Sequence, residues 1–247
     1  MPPVFSFCDL DDTLFRSGRK AAADDLARAV AFSSKGLPIS FQSREQAALY
    51  SWLAASSRLI VTTGRSSKWL TRITLPFNDY AICSFGGVIL SPDGEPQPDW
   101  YSYIQSEVEK TRADLLALRQ VCETEASRLC FDVRVKVVKD RGLDLHLSIK
   151  HNKRSQDETT SLAVLLREQL PAGWWMHLNG RNMALCPPFL GKDKAVAWFL
   201  DHLAGTYGLV LGVGDSLSDL SYMGLGHGAV IPVKPKSQIF ATLSDLA

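Results

Sequence analysis

The sequence predicts an α/β protein with a doubly wound, Rossmann-like parallel sheet that carries an inserted α+β domain. Short apolar strands alternate with helices over residues 1–87, which is typical of a parallel sheet with crossover helices. From residue 88 the pattern changes to hairpins and two helices, and the strand–helix alternation returns after Pro187-Pro188. We therefore expect one domain formed by residues 1–87 and 187–247, and a second domain formed by residues 88–186.

The first strand leads directly into a group of acidic residues. The apolar run from Val4 predicts a buried strand, and Asp9, Asp11, Asp12 and Thr13 follow it without a break. A carboxylate at the end of a buried strand costs free energy unless it is paired, hydrogen-bonded or bound to a metal. Ligands also bind at this edge of open α/β sheets. The alternative is an acidic turn whose aspartates cap a helix.

Hydrophobic spacing and capping signals predict the elements on either side of the insertion. Ser43-Arg44-Glu45-Gln46 is a capping box, and Gly36 and Pro38 predict a turn after an Ala-rich helix. In the first segment we predict helices at 21–32, 44–55 and 67–75, and strands at 58–63 and 80–84. In the last segment we predict helices at 192–203, near 219–223 and at 237–246, and strands at 209–213 and 229–233.

The insertion has the pattern of an antiparallel sheet with helices. Leu143 to Lys150 alternates between apolar and polar residues, as in a strand with one solvated face. Asn179-Gly180 is a strong signal for a two-residue hairpin turn. We predict strands at 88–90, 131–138, 143–150, 174–178 and 181–186, and helices at 102–129 and 155–170.

Composition gives no support for a nucleic-acid or membrane partner. The net charge is +1, so bulk charge does not favour nucleic acid or an anionic membrane. Apolar residues make up 46% and charged residues 21%, which is ordinary for a globular enzyme, and no apolar run is long enough to span a bilayer. The five cysteines are scattered without a C-x-x-C pair, which suits a reducing cytoplasm. We expect a cytoplasmic monomer or weak homodimer with no nucleic-acid or membrane partner.

Four polar segments fall at predicted strand ends or helix starts of the parallel-sheet domain. They are Asp9–Thr13, Thr63–Arg65, Lys192, and Asp215 with Asp219. Parallel strands end at one edge, so these groups can converge there. Clustered carboxylates repel unless a cation joins them, and all-oxygen ligands favour a hard ion such as Mg²⁺. The Thr63 hydroxyl, the Gly64 N–H and Lys192 suit phosphate oxygens, so the set equips the chain for an aspartyl-phosphate intermediate.

The order of these segments resembles the haloacid dehalogenase superfamily. Asp9-Leu10-Asp11-Asp12-Thr13, Thr63, Lys192 and Gly214-Asp215-x-x-x-Asp219 match its four motifs in order. The position of the insertion is similar to that of a C2-type cap. Thr63-Gly64-Arg65 and Gly86-Gly87 resemble the Cof-type and sugar-phosphatase branch, which includes sucrose-, trehalose- and mannosyl-3-phosphoglycerate phosphatases.

The resemblance implies a role for each motif residue. Asp9 is the expected nucleophile, and Asp11 is the expected acid for the leaving alcohol and then the base for water. Thr63 and Gly64 are expected to bind the phosphoryl group, and Lys192 to neutralise charge, with Lys194 as its alternative. The same resemblance implies a Mg²⁺ cofactor whose ligands are Asp9, Asp11 through its carbonyl, Asp215 and Asp219.

The chain departs from the branch pattern in three places. Ser218 and Phe85 stand where many relatives have asparagine, and the segment from Asp9 to Thr63 is longer by roughly 10–15 residues on loop-length priors. None of these departures removes a catalytic group. Arg65 has two open interpretations, a structural or solvated side chain and a substrate-binding one.

These observations predict a Mg²⁺-dependent phosphomonoesterase that acts on a small phosphorylated metabolite, with a sugar phosphate as the first choice. Two alternatives are a phosphotransferase or phosphomutase on the same fold, and a catalytically silent binding protein. We expect the cap to select the substrate. Its candidate contacts are Arg141, His146, Arg181 and Asn182, for which the alternative is a set of solvated hairpin side chains.

Overall fold

The computed structural model describes residues 2–153, 155–233 and 237–244. The chain divides into two compact units. The first unit, called the core unit here, comprises the described residues up to Gln97 and those from Gly191 onward. The second, called the inserted unit, is Pro98–Leu190.

The described residues form thirteen strands, seven α-helices and two short 3₁₀ turns. In chain order the strands are β1 (Val4–Cys8), β2 (Arg16–Ser17), β3 (Ala29–Phe32), β4 (Pro38–Phe41), β5 (Arg58–Thr62), β6 (Ala81–Cys83), β7 (Val88–Leu90), β8 (Val133–Asp140), β9 (Leu143–His151), β10 (Trp175–Asn179), β11 (Asn182–Cys186), β12 (Leu209–Val213) and β13 (Gly228–Val230). The α-helices are α1 (Arg44–Ser56), α2 (Ser67–Leu70), α3 (Pro98–Arg128), α4 (Gln156–Arg167), α5 (Lys192–His202), α6 (Leu220–Met223) and α7 (Gln238–Ser244). Short 3₁₀ turns form at Ala23–Asp25 and Ser84–Gly86.

The core unit contains a six-stranded sheet in the order β13-β12-β1-β5-β6-β7. Its strands run parallel except β7, which is antiparallel to β6. β1 lies inside the sheet, and its residues Phe5, Phe7 and Cys8 are buried, as expected for a strand covered on both faces. Because Cys8 pairs with Val213 of β12 and with Val61 of β5, the ends of these three strands meet at one edge.

Aromatic side chains fasten α5 to this sheet. The ring of Phe199 meets those of Phe5, Phe7 and Tyr80 edge to face, with centroid distances of 5.7, 5.6 and 5.2 Å. Each such aromatic pair contributes about 0.5–1.5 kcal/mol beyond its buried area. The packing fixes the helix that begins at Lys192 against the strand that ends before Asp9.

The predicted helix at 21–32 is wrong. Residues 16–41 form a three-stranded sheet in the order β2-β4-β3, with one 3₁₀ turn at Ala23–Asp25. β3 and β4 pair antiparallel across the turn that contains Gly36. Alanine favours a helix only weakly, by tenths of a kcal/mol per residue, so strand pairing of Ala29–Phe32 outweighs it.

The inserted unit is a four-stranded antiparallel sheet, in the order β10-β11-β9-β8, packed against α3 and α4. Leu147 and Ile149 of β9 share an apolar core with Leu118 and Leu162. Arg141 and Gly142 join β8 to β9 with φ of 47° and 87°, the left-handed conformations of a tight hairpin turn. Among the described residues, no helix combines the length and the apolar character that crossing a bilayer requires.

The boundaries of the two units differ from the sequence-based ones. Val88–Leu90 pairs with Ala81–Cys83 in the core sheet, so the strand assigned to the second domain belongs to the first unit. Helix α3 begins at Pro98 rather than near Ser102, because proline is well suited to the first turn of a helix. The helix predicted to reach Leu246 is described from Gln238 to Ser244, and its last two predicted residues lie outside the described residues.

Candidate active site

Three carboxylates and one lysine converge at the edge where β1 and β12 end. Asp9 follows β1 directly, and its N–H donates to the Val213 carbonyl at 2.9 Å. Asp215 and Asp219 follow β12, and Lys192 is the first residue of α5. All four side chains are buried, and the nearest oxygens of the three carboxylates lie within 4.8 Å of one another.

Lys192 bridges two of these carboxylates. Its Nζ donates to Asp9 Oδ1 and to Asp219 Oδ1, each at 2.6 Å. Burial alone would lower the pKa of Lys192, but the charges of Asp219 and Asp9 raise it above its ordinary value. The lysine therefore remains charged, while Lys194, the alternative, is exposed on the same helix.

Asp219 organises the loop that follows β12. Its Oδ2 accepts hydrogen bonds from the N–H groups of Asp215 at 3.2 Å and Ser216 at 2.9 Å, and from the Ser216 hydroxyl at 2.7 Å. Its Oδ1 accepts from Lys192. A Cβ on Gly214 would lie 2.5 Å from the Asp219 Cβ, so the close approach requires glycine. Asp219 thus positions protein groups, and its predicted role as a metal ligand stays a prediction.

Burial shifts the ionisation of the two other carboxylates. The pKa of Asp215 rises to about 7, first because of burial and then because of the charges of Asp219 and Asp12. Burial also raises the pKa of Asp9, against the opposing effect of Lys192. The Thr13 hydroxyl donates to Asp215 Oδ1 at 3.2 Å. The single positive charge of Lys192 therefore does not neutralise the three carboxylates of this cluster. Their oxygen atoms would suit a divalent cation as ligands.

Two of the predicted phosphate-binding residues, Thr63 and Gly64, lie in the loop after β5. Thr63 is buried, and its Oγ1 accepts a hydrogen bond from the Arg65 N–H at 3.1 Å. The ring of Phe85 covers Gly64 so closely that a Cβ there would lie 2.5 Å from Phe85 Cζ. Phe85 itself has φ of 56°, and its N–H donates to the Thr63 carbonyl at 3.1 Å. Phe85 is therefore a packing partner of this loop.

Asp11 pairs with an arginine rather than with the buried cluster. Arg65 Nε donates to Asp11 Oδ2 at 2.6 Å, and a terminal Arg65 nitrogen donates to Asp11 Oδ1 at 2.5 Å. The Asp11 side chain is 41% exposed and that of Arg65 is 20% exposed. Arg65 thus has a defined partner in the motif, a contact that neither interpretation from the sequence specified.

Two further residues hold the turn at Asp12 and Thr13. Asp12 has φ of 64°, and its carboxylate accepts a hydrogen bond from Lys20. The Gln46 amide nitrogen donates to the carbonyls of Asp12 at 3.4 Å and Thr13 at 3.3 Å, while its oxygen accepts from the Ser43 N–H. The capping box was the sequence signal for Gln46, but it does not reveal the contact with the acidic turn.

The four candidate substrate contacts lie in the inserted unit. Arg141 is at the β8–β9 turn, and Arg181 and Asn182 are at the β10–β11 turn, where they donate to the carbonyls of His151 and Asn179. His146 on β9 is 3% exposed, which rules out the alternative of a solvated side chain at this position, and its predicted contact with the substrate stays a prediction. Burial lowers the pKa of His146 to about 4. Alternation in the sequence does not reveal what covers the second face of a sheet.

The fold places the chain among known structures. A sucrose-phosphatase from Synechocystis, determined with sucrose and phosphate, matches with a TM-score of 0.62 and 20% identity over 99% of this chain and 88% of that one. The C-terminal domain of a C. albicans trehalose-6-phosphate phosphatase matches with a TM-score of 0.60 and 14% identity over 90% and 73%. A haloacid dehalogenase-like hydrolase from Bacteroides thetaiotaomicron matches with a TM-score of 0.53 and 11% identity over the full length of both chains.

The chain therefore has the haloacid dehalogenase fold, with a parallel α/β sheet and an additional antiparallel sheet, as predicted. The match extends to phosphatases of the sugar-phosphatase type at the level of the fold. No protein-family model matches the sequence. A search of curated proteins finds no match either.

Proposed function

We propose that this protein is a Mg²⁺-dependent phosphomonoesterase that acts on a small phosphorylated metabolite. The observation that carries the proposal is the buried group of Asp9, Asp215 and Asp219 with Lys192 bridging two of its members. A purely structural cluster would not need three carboxylates and one lysine in a buried position, because unpaired buried charge is destabilising. The phosphatases with the same fold support the same reaction class.

The buried carboxylates fit a hard divalent cation. Asp9 and Asp215 would supply side-chain oxygens as ligands, and Asp11 would supply its backbone carbonyl. Asp219 would either supply an oxygen or hold the loop in position through its hydrogen bonds to Asp215 and Ser216. When bound, Mg²⁺ supplies positive charge for the phosphate oxygens and for the acidic group. The raised pKa values of Asp9 and Asp215 support this assignment, since a cation removes the cost of ionising them.

The residues of the chain then divide the reaction into two steps. An Asp9 oxygen attacks phosphorus and the bond to the leaving oxygen breaks, with Asp11 giving that oxygen a proton. Water next attacks the aspartyl phosphate, its proton passes to Asp11, and Asp9 is released as a carboxylate. Lys192 offsets negative charge beside Asp9 throughout, and Thr63 and Gly64 hold the phosphoryl group.

We infer that the substrate is a sugar phosphate and that the inserted unit selects it. Arg141, Arg181 and Asn182 offer cationic and amide groups that suit a second anion or sugar hydroxyls. The sucrose- and trehalose-6-phosphate phosphatases of the same fold support this substrate class. A cytoplasmic location and a monomeric or weakly dimeric state stay predictions from the sequence.

A phosphate-release assay on purified protein tests the proposal. We expect hydrolysis of p-nitrophenyl phosphate with Mg²⁺, loss of activity in excess EDTA and recovery when Mg²⁺ exceeds the chelator. A panel of sugar and nucleoside phosphates then identifies the substrate. Failure to release phosphate from any compound with Mg²⁺ would overturn the proposal, and transfer of the phosphate to an added sugar would favour a phosphotransferase.

Metal-free protein should lose stability as the pH rises from about 4 to about 7. The folded protein keeps a proton on Asp215 up to a pKa of about 7, whereas the unfolded chain releases it near 3.8. Between these values the folded state binds more protons, so the unfolding free energy falls with rising pH, by up to ~4 kcal/mol from this group. Mg²⁺ favours the ionised carboxylates, so we expect it to raise the melting temperature more at pH 8 than at pH 5.

Thermal melting at both pH values, in EDTA and in excess Mg²⁺, measures this effect. Asp215→Asn should remove most of the Mg²⁺-dependent rise and flatten the pH dependence in EDTA. Asp201→Asn is the matched control, because Asp201 is exposed on α5 of the same unit and should leave both unchanged. Equal stabilisation by Mg²⁺ at the two pH values would contradict the assignment.

A further inference from the structure

We propose that Arg65 is a positioning residue that acts on the reaction through Asp11. This inference rests on the proposed function. It assigns a role to Arg65, which has none in the mechanism described above. The main observation that supports this role is the pair of hydrogen bonds from Arg65 to the two carboxylate oxygens of Asp11, at 2.6 and 2.5 Å. A two-point contact fixes the plane of a carboxylate as well as its distance, which a single hydrogen bond does not.

The Arg65 guanidinium also contacts two aromatic rings. It lies over the ring of Phe15 at 5.5 Å and over the ring of Trp69 at 5.0 Å from the centroids. Only 20% of its side chain is exposed. Arginine stacks on aromatic faces because its charge is delocalised over a plane, so these rings restrict the plane in which it can meet Asp11.

The backbone of Arg65 ties this contact to the loop proposed to bind phosphate. Its N–H donates to Thr63 Oγ1 at 3.1 Å, and its carbonyl accepts from the Ser84 N–H at 2.8 Å. Arg65 therefore spans from the loop after β5 to the loop after β1. Displacement of this loop would change the position of Asp11 together with that of Thr63.

Asp11 needs such support because it is less enclosed than the other acidic residues. Its side chain is 41% exposed, whereas Asp9, Asp215 and Asp219 are buried. A proton donor or acceptor must lie within hydrogen-bond reach of the reacting oxygen, and a misplacement of about 1 Å can cost on the order of 10²-fold in rate. An exposed carboxylate without a fixed partner would occupy several rotamers.

The test compares two substrates that differ in their need for an acid. p-Nitrophenyl phosphate releases a weakly basic phenolate, whereas benzyl phosphate releases a strongly basic alkoxide that requires a proton. We expect Arg65→Gln to lower kcat/KM for benzyl phosphate by about 10²-fold and for p-nitrophenyl phosphate by less than about 5-fold. Asp11→Asn should show the same bias, because both changes act on one proton transfer.

Three further variants separate positioning from a structural effect. The double variant Asp11→Asn/Arg65→Gln should be no slower than Asp11→Asn alone, since Arg65 acts through Asp11. Arg65→Lys keeps the charge without the planar fork and should recover little of the lost rate. Arg72→Gln is the matched control, because Arg72 lies over the same Trp69 ring at 4.7 Å, and it should keep the ratio of the two substrates.

A melting curve for each variant checks the fold. If Arg65→Gln is unstable, Trp69→Leu provides a second test, and we expect it to lower kcat/KM for benzyl phosphate more than for p-nitrophenyl phosphate, by a smaller factor than Arg65→Gln. Equal losses for the two substrates, or losses that multiply in the double variant, would overturn the inference and leave the phosphatase proposal in place. Faster turnover in Arg65→Gln would also overturn it, because Arg65 would then hold Asp11 back. If the unmodified protein hydrolyses neither compound, the proposed function fails and the inference fails with it.

Discussion

Asp9→Asn should abolish phosphate release while leaving the fold intact. An amide is a far weaker nucleophile than a carboxylate, and loss of a nucleophile costs enzymes on the order of 10⁴-fold or more. Asparagine has the same shape, and its amide oxygen can still accept a hydrogen bond from Lys192, which lies 2.6 Å from Asp9 Oδ1. Removing one of three buried carboxylates also lowers the repulsion among them.

The measurement pairs a phosphate-release assay with melting in EDTA. We expect no detectable turnover and a melting temperature equal to or above that of the unmodified protein, because burial already disfavours the charged form of Asp9. Asp201→Asn again serves as the control, with full activity expected from an exposed aspartate on α5. Substantial hydrolysis by Asp9→Asn would assign the nucleophile to another residue.

Lys192→Met should damage both stability and activity. The change removes the positive charge but keeps an unbranched side chain in a site that is 4% exposed. Asp9 and Asp219 would then face each other without the lysine, and removing one partner of a buried ion pair costs about 3–5 kcal/mol. Loss of a charged group beside the developing phosphate charge should lower kcat by on the order of 10²-fold or more.

Lys194→Met is the matched control for this variant. Lys194 lies two residues further along α5 and is exposed, so its loss should change the unfolding free energy by less than about 0.5 kcal/mol. Urea unfolding and steady-state assays of the two variants answer the question directly. Similar effects at both positions would show that Lys192 has no special role.

The sequence predicts the parts of the site that depend on where strands end. Asp9 and Asp215 each follow an apolar strand. Lys192 begins a helix whose apolar residues recur at helical spacing. Once these strands are parallel neighbours, their ends must meet. The convergence therefore follows from the topology, and no information about individual side chains is needed.

Contacts that depend on side-chain reach could not be predicted in this way. The pairing of Arg65 with Asp11 joins residues 54 positions apart, through rotamers that periodicity does not constrain. The three-stranded sheet at residues 16–41 depends on pairing between Ala29–Phe32 and Pro38–Phe41, which outweighs weak local propensity. Burial of His146 depends on what packs over β9, and one strand's pattern does not contain that information.

The central position of β1 has a consequence for how the chain folds during synthesis. β1 needs β12 as one of its two neighbours, and the contact of Thr13 with Asp215 spans 202 residues. A nascent chain therefore exposes one edge of its first strand until the segment after Leu209 emerges from the ribosome. Long-range strand pairing is slow and open to aggregation, so we expect β1 to be a point of aggregation risk until β12 is available to pair with it.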